Sequence, residues 1–388
     1  MPCAAILFVL LTAFAPWLHA EGDVLTNNYD AARSGATLTE RALDATNVRA
    51  ERFGRIGQIA VDAPVLGQPL LVSALDMPGG KRTVLFLTTG NNSVYAIDAD
   101  DFTAKPLWQR QFSRLPNGAP AASIGIASTP VIDKAAHALY VVAGFQDDQR
   151  YHYVLYALDL RDGRDTRSGP IEIAGAVRID ERQIEFLPTR KRPASQRPGL
   201  ALAQDKVIVA FGGDLFEGWV FAFDKGDLRT PPGAFCTTCV SKVAAISKVD
   251  YADEQCVQVG PGGGIWQSGR APAVDAKGRV WFFTGNKQHV VKAGCRVPAG
   301  KNACTSCTGA DGCMCEGSRT GKVCGGPDAC IANRTRDGAQ FDLNEALIGL
   351  DPQDLRVVGW LRPDNWNADG DDGLERNDLD LGGSGPLL

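Results

Sequence analysis

Ten of the eleven cysteines in this 388-residue chain stand between positions 236 and 330, and their spacing is the first feature that bears on chemistry. Two C-x-x-C pairs, Cys236 with Cys239 and Cys304 with Cys307, and the tighter "CMC" of Cys313 and Cys315 place thiols at chelating or bridging distance. Covalent haem attachment needs a His directly after C-x-x-C, but Val240 and Thr308 stand there, so c-type haem is set aside. Zinc would take four thiolates from the two pairs together. In an oxidising compartment the same residues become disulfides instead, and that reading is preferred. The disulfide candidates are Cys236, Cys239, Cys256, Cys295, Cys304, Cys307, Cys313, Cys315, Cys324 and Cys330.

Other chemistry is weaker. "DNWNADGDDGLERND", residues 364–378, has Asn365, Asn367 and Asp369 at the spacing that opens a calcium loop, but Arg376 holds the twelfth position where a bidentate Glu belongs. A solvated acidic loop is the preferred reading. "GPGGGIWQSG" has the glycines of a phosphate loop without the Lys or the following helix, and reads as a turn feeding a strand. Nucleophile elbows and dinucleotide fingerprints are absent, and no catalytic residue or cofactor ligand can be assigned. Asn91 ("NNS") and Asn333 ("NRT") are glycosylation acceptors only in a eukaryotic host.

Composition bounds the rest. With 44% hydrophobic and 22% charged residues the chain is globular, and its net charge of −5 offers no phosphate-neutralising face for nucleic acid. The basic stretches "TRKRPASQR" and "RTRDGAQ" are flanked by loop-type residues. Residues 1–20, "MPCAAILFVLLTAFAPWLHA", carry an apolar run too short to anchor in a bilayer, then Pro16 and a cleavage point after Ala20. They are expected to be a signal peptide that takes Cys3 with it, leaving ten cysteines in a secreted or periplasmic chain. No later stretch is apolar enough to span a membrane.

The elements that must position these residues are short β-branched and aromatic runs bounded by Gly, Asp, Asn and Pro, the pattern of an all-β protein. The runs repeat. "VLFLTTGNNSVYAIDAD" (84–100) aligns with "LYVVAGFQDDQRYHYVLYALDL" (139–160) and "VIVAFGGDLFEGWVFAFDKGD" (207–227). A fourth copy is split between "VWFFTGN" (280–286) and "EALIGLDPQD" (345–354). Upstream of each lies a Pro-bearing strand, with Pro69, Pro130, Pro198 and Pro272 spaced 61, 68 and 74 residues apart. This period predicts radially repeated antiparallel blades, with the Pro strand innermost as A, then B, an Ala-x-Asp strand C, and polar outer D segments such as "PLWQRQF" and "GPIEIAG".

Through these residues, and through "DVLTNNYDAARSGATLTERALDATNV", "ASIGIASTPVIDKAAHALYVVA", "GGGIWQSGRAPAVDAKGRVWFFTGN" and "NDLDLGGSGPLL", the chain resembles the secreted β-propellers of pyrroloquinoline quinone (PQQ)-type repeats, the quinoprotein alcohol dehydrogenase-like superfamily. The resemblance implies a blade motif of Ala-x-Asp-x-x-Thr-Gly followed by Trp, with Ala and Trp of different blades stacking between sheets. It falls on Ala96, Asp98, Thr103 and Trp108, on Ala157, Asp159 and Gly163, on Ala222 and Asp224, and on Asp351 and Trp360. The second and third units lack the Trp. The recurring Asp residues suit turn capping rather than catalysis.

The resemblance also implies a central PQQ held with Ca²⁺ under a disulfide of adjacent cysteines, and no adjacent pair occurs here. The expected function is therefore a ligand- or partner-binding scaffold with no assignable catalytic set, the alternative being a PQQ- and calcium-dependent dehydrogenase of an alcohol or sugar. The propeller is expected over 21–388, with a Cys-rich insertion at about 290–338 in the fourth blade. Three cysteines precede that blade and seven lie in its insertion, so complete pairing requires at least one bridge between the two loops. "GGSGPLL" has the form of a strand A opening at Pro386, from which an incomplete ring with a fifth blade just begun is expected.

Overall fold

The computed structural model describes residues 22–37, 40–51, 53–166, 169–179, 181–213, 217–239, 257–285, 287–291, 304–307, 313–315, 345–361, 363 and 381–388. The signal segment, most of the insertion and the acidic stretch holding Asn365, Asn367 and Asp369 lie outside these residues.

The first blade is β1 (Leu70–Met77), β2 (Gly80–Thr88), β3 (Ser93–Asp98) and β4 (Trp108–Gln111), paired antiparallel in that order. The second follows β5 (Ala122–Gly125), which pairs with the C-terminal end of β7, and consists of β6 (Val131–Asp133), β7 (Ala138–Gln146), β8 (Tyr151–Asp159) and β9 (Ile171–Glu172). A hairpin of β10 (Ala176–Ile179) and β11 (Arg182–Glu185) leads to the third blade: β12 (Ala201–Ala203), β13 (Lys206–Phe211), β14 (Trp219–Asp224) and β15 (Gly233–Cys236). The connection then forms β16 (Val257–Gly262), and the fourth blade opens with β17 (Ala273–Val274) and β18 (Val280–Phe283).

After β18 the chain leaves the blade as β19 (Lys287–Val291), β20 (Cys304–Cys307) and β21 (Cys313–Cys315), and returns with β22 (Leu347–Leu350) and β23 (Val357–Leu361). β18 pairs directly with β22, Phe283 opposite Leu347, so everything between them is an excursion from the sheet. Each Pro of the repeat stands just before or within a few residues of its innermost strand, where its missing N–H breaks no ladder.

The strands read as unbroken apolar runs because both faces of each sheet are covered. β7 and β8 are buried along almost their whole length, as expected for sheets packed on two sides. One core lies between blades 1 and 2, around Phe86, Ala96, Val141 and Tyr156. A second joins blades 2 and 3 around Tyr153, Ala157, Phe211 and Phe221. A third joins blades 3 and 4 around Ile208, Ala222, Phe282 and Trp360.

The outer flank of blade 1 is covered by the chain itself, with Ile59 and Val61 against Leu87, Tyr95 and Ile97. The described residues thus form an all-β arc of four propeller blades and no closed ring. No helix among them is long and apolar enough to cross a membrane.

Candidate functional site

The repeated motif residues sit at equivalent places. Ala96 faces Phe86 on one side and Trp108 on the other, and Ala222 lies between Ile208 and Gly233 in the same way. Ala157 pairs with Tyr140. Each recurring Asp caps its own turn through Oδ1: Asp98 accepts from the Asp100 amide at 3.0 Å, Asp159 from Arg161 at 2.8 Å, Asp224 from Gly226 at 2.8 Å and Asp351 from Gln353 at 3.0 Å. Side-chain to backbone bonds of this kind close a turn and leave no carboxylate aimed at a shared centre.

Between blades the packing follows a large-against-small rule. Trp108 of β4 lies on Gly163, in the turn after β8, and its Nε1 donates to the Leu160 carbonyl at 2.9 Å. Gly163 has φ +69°, and a Cβ there would meet the indole, so glycine is required both by the backbone and by the contact. At blades 3 and 4 the sizes are exchanged. Gly233 of β15 holds the place of Trp108, and Leu355, four residues after its Asp as Gly163 is, packs over it with φ 54°. Trp360 is set one residue off the Trp108 position, opposite Ile348, and faces the core shared with blade 3. Sequence spacing alone missed this exchange because the filler comes from the neighbouring blade.

The innermost strands converge on a polar axis, and the segment after residue 22 runs across it. Val24 exchanges backbone bonds with Leu71 at 2.8 and 2.9 Å, the Ile132 amide donates to Leu25 at 2.8 Å, and the Val274 amide to Ala31 at 2.7 Å. Arg33, 1% exposed, fixes that crossing. Its Nε and Nη2 donate to the Pro272 carbonyl at 3.0 and 2.7 Å, and Nη1 reaches Thr26 Oγ1 and the Asn27 and Asp30 carbonyls. Burial pushes this guanidinium down to about 10, the nearby Asp30 opposing the shift. Asn27 Nδ2 donates to Gln68 Oε1 at 3.2 Å while its Oδ1 accepts from the Ala271 amide at 3.2 Å. Thr129 Oγ1 accepts from the Gln68 amide at 3.0 Å. Leu388 donates its amide to Ala32 at 3.1 Å, and Arg270 Nη1 to the Gly385 carbonyl at 3.3 Å.

On the loop face above this axis, Cys236 and Cys239 are disulfide-bonded to each other and fully buried, with Cα atoms 5.6 Å apart. The turn they close carries Thr237, whose hydroxyl accepts from the Gly218 amide at 3.0 Å and donates to the Gly263 carbonyl at 2.8 Å. One side chain therefore joins the β13–β14 loop to the glycine-rich loop before β17. From that loop Gly264 accepts the Gly285 amide at 2.8 Å, with Trp266 packed beside both glycines.

Two fully buried carboxylates flank the junction: Glu217, ion-paired to Arg192 at 2.8 Å, and Glu345, which accepts the Leu381 amide at 3.2 Å. In blade 2 the corresponding loop is tied down by His152, between Glu172 at 2.7 Å and Asp147 at 2.9 Å. None of these residues stands in a motif, so sequence spacing did not mark them. Asn91 donates from Nδ2 to Asp62 at 3.0 Å; Asn333 lies outside the described residues. Among the described residues no three of His, Cys, Asp and Glu converge as a metal-binding group.

Four-stranded antiparallel sheets in radial succession, each opening at an inner Pro strand, define an all-β protein of the propeller class. No protein family matches the sequence, and no curated protein does either. Among solved structures, the quinohemoprotein alcohol dehydrogenase from Comamonas testosteroni is similar in architecture at 14% identity and a TM-score of 0.46, covering 88% of this chain and 41% of its own. A europium-containing methanol dehydrogenase is similar at 13% identity and a TM-score of 0.46, covering 88% of this chain and 49% of its own. The chain thus spans less than half the length of either.

Proposed function

We propose that this chain is an extracytoplasmic β-propeller of quinoprotein type whose loop face binds a partner protein or a small-molecule ligand without catalysing a reaction on it. The observation that carries this reading is the state of the axis: Arg33, Asn27, Gln68 and Thr129 are committed to the chain's own backbone and to one another. What is left for recognition is the loop face around the half-buried Trp266. The apolar leader over residues 1–20 and the Cys236–Cys239 bridge support export to an oxidising compartment.

The alternative is dehydrogenation of an alcohol or sugar with PQQ and Ca²⁺. The described residues do not compose such a centre: Glu217 faces Arg192, Glu345 is held by a backbone amide, and no further carboxylate joins them in a metal-binding group. Incubating the full chain with PQQ and Ca²⁺ and following artificial-dye reduction with a panel of alcohols and sugars separates the readings. The scaffold reading expects no substrate-dependent reduction, and reduction with any alcohol or sugar would sink it.

A further inference from the structure

Within the insertion, β20 and β21 form an antiparallel pair in which Cys304 stands opposite Cys315 and Cys307 opposite Cys313. Directly opposed residues of such a pair have Cα atoms about 4.5–5.5 Å apart, inside the roughly 4.4–6.8 Å that a disulfide spans. Cys304 and Cys307, three residues apart, would fall on opposite faces of a regular strand. The register shift between Cys304 and Ser306 sets two residues of β20 against one of β21 and brings both cysteines into phase. Cys313 and Cys315, two residues apart, share a face without help. The bulge therefore aligns two successive cross-strand cysteine pairs.

We propose that the β20–β21 hairpin of the insertion is a covalently stapled extension of blade 4, with bridges Cys304–Cys315 and Cys307–Cys313 across it. The hairpin continues the blade sheet, since β20 also pairs with β23, Cys307 opposite Trp360. The bridges give a polar segment with little core the rigidity that small disulfide modules use in place of burial. Each forms as two thiols give two protons and two electrons to a disulfide-bearing oxidant, which leaves as its dithiol.

The pairing rests on the extracytoplasmic reading, because a reducing cytosol would keep the thiols free. The full chain is exported into an oxidising compartment, alkylated without reduction and digested with trypsin. The fragment over residues 302–319, which holds four cysteines, is expected short of four hydrogens, and electron-transfer fragmentation is expected to place the links at 304–315 and 307–313. In Cys304→Ser, alkylation is expected at Cys315 and not at Cys313. Links in the crossed order, links from this fragment to another, or zinc retained on four thiolates would overturn the proposal. If exported material has free thiols but refolding in a glutathione redox buffer gives these links, the export reading fails and the pairing stands.

Discussion

Arg33 shows how one side chain holds several segments. It lies between the crossing segment and the start of β17, and five of its contacts go to carbonyl or hydroxyl oxygens. Truncation would strand the buried Pro272 and Asn27 carbonyls, each costing about 1–3 kcal/mol when left unsatisfied. Arg33→Ala is therefore expected to lower stability in urea unfolding by roughly 3 kcal/mol or more; a loss near zero would show that the crossing segment holds without it.

Charged pairs at blade junctions make stability depend on acid. Burial acts to raise the Asp133 carboxyl, but Lys225 at 2.8 Å and the Ala136 amide more than offset it and hold its pKa below the usual value. Asp23 is similar, with Lys134 at 2.6 Å and Ser73 outweighing burial. A depressed carboxylate pKa adds stability that is present above the unfolded value, near pH ~4, and is lost as pH falls through the folded one. The melting temperature is expected to drop on acidification below that point, and the double variant Asp23→Asn/Asp133→Asn is expected to show a shallower drop.

At the scale of elements, the exchanged locks between blades make the sharpest predictions. Leu355 is 2% exposed over Gly233, so Leu355→Ala is expected to cost about 2–4 kcal/mol in chemical denaturation. Gly163→Ala both strains a left-handed backbone, by about 1–2 kcal/mol, and collides with Trp108. Combined with Trp108→Ala, it is expected to cost less than alone, with a coupling of about 0.5–3 kcal/mol; strict additivity would mean that the two do not meet.

The blades are legible in the sequence because Pro69, Pro130, Pro198 and Pro272 punctuate apolar runs that alternate with Ala-x-Asp strands, and local pattern carries that information. Gly233 filling the place of a tryptophan was not legible, because its partner Leu355 lies more than a hundred residues away and acts from another sheet. Cys236 and Cys239 stood among ten disulfide candidates with their connectivity open, and the role of Thr237 between them depends on two loops that only the fold brings together. Glu217 and Glu345 belong to no motif at all, and only burial singles them out.

For the whole molecule, the four-blade arc is held together by three interblade cores and by one segment that crosses the axis from blade 1 to blade 4. This segment bonds to the innermost strands of blades 1, 2 and 4, and the proposed recognition by the loop face depends on its holding that place. Amide hydrogen exchange on the full chain reads this out. The Val24, Leu71, Ile132 and Val274 amides, all bonded across the crossing, are expected to exchange as slowly as the blade cores, and PQQ with Ca²⁺ is expected to leave their rates unchanged. Fast exchange at these four amides, or marked slowing when quinone and calcium are added, would show that the segment does not hold the axis.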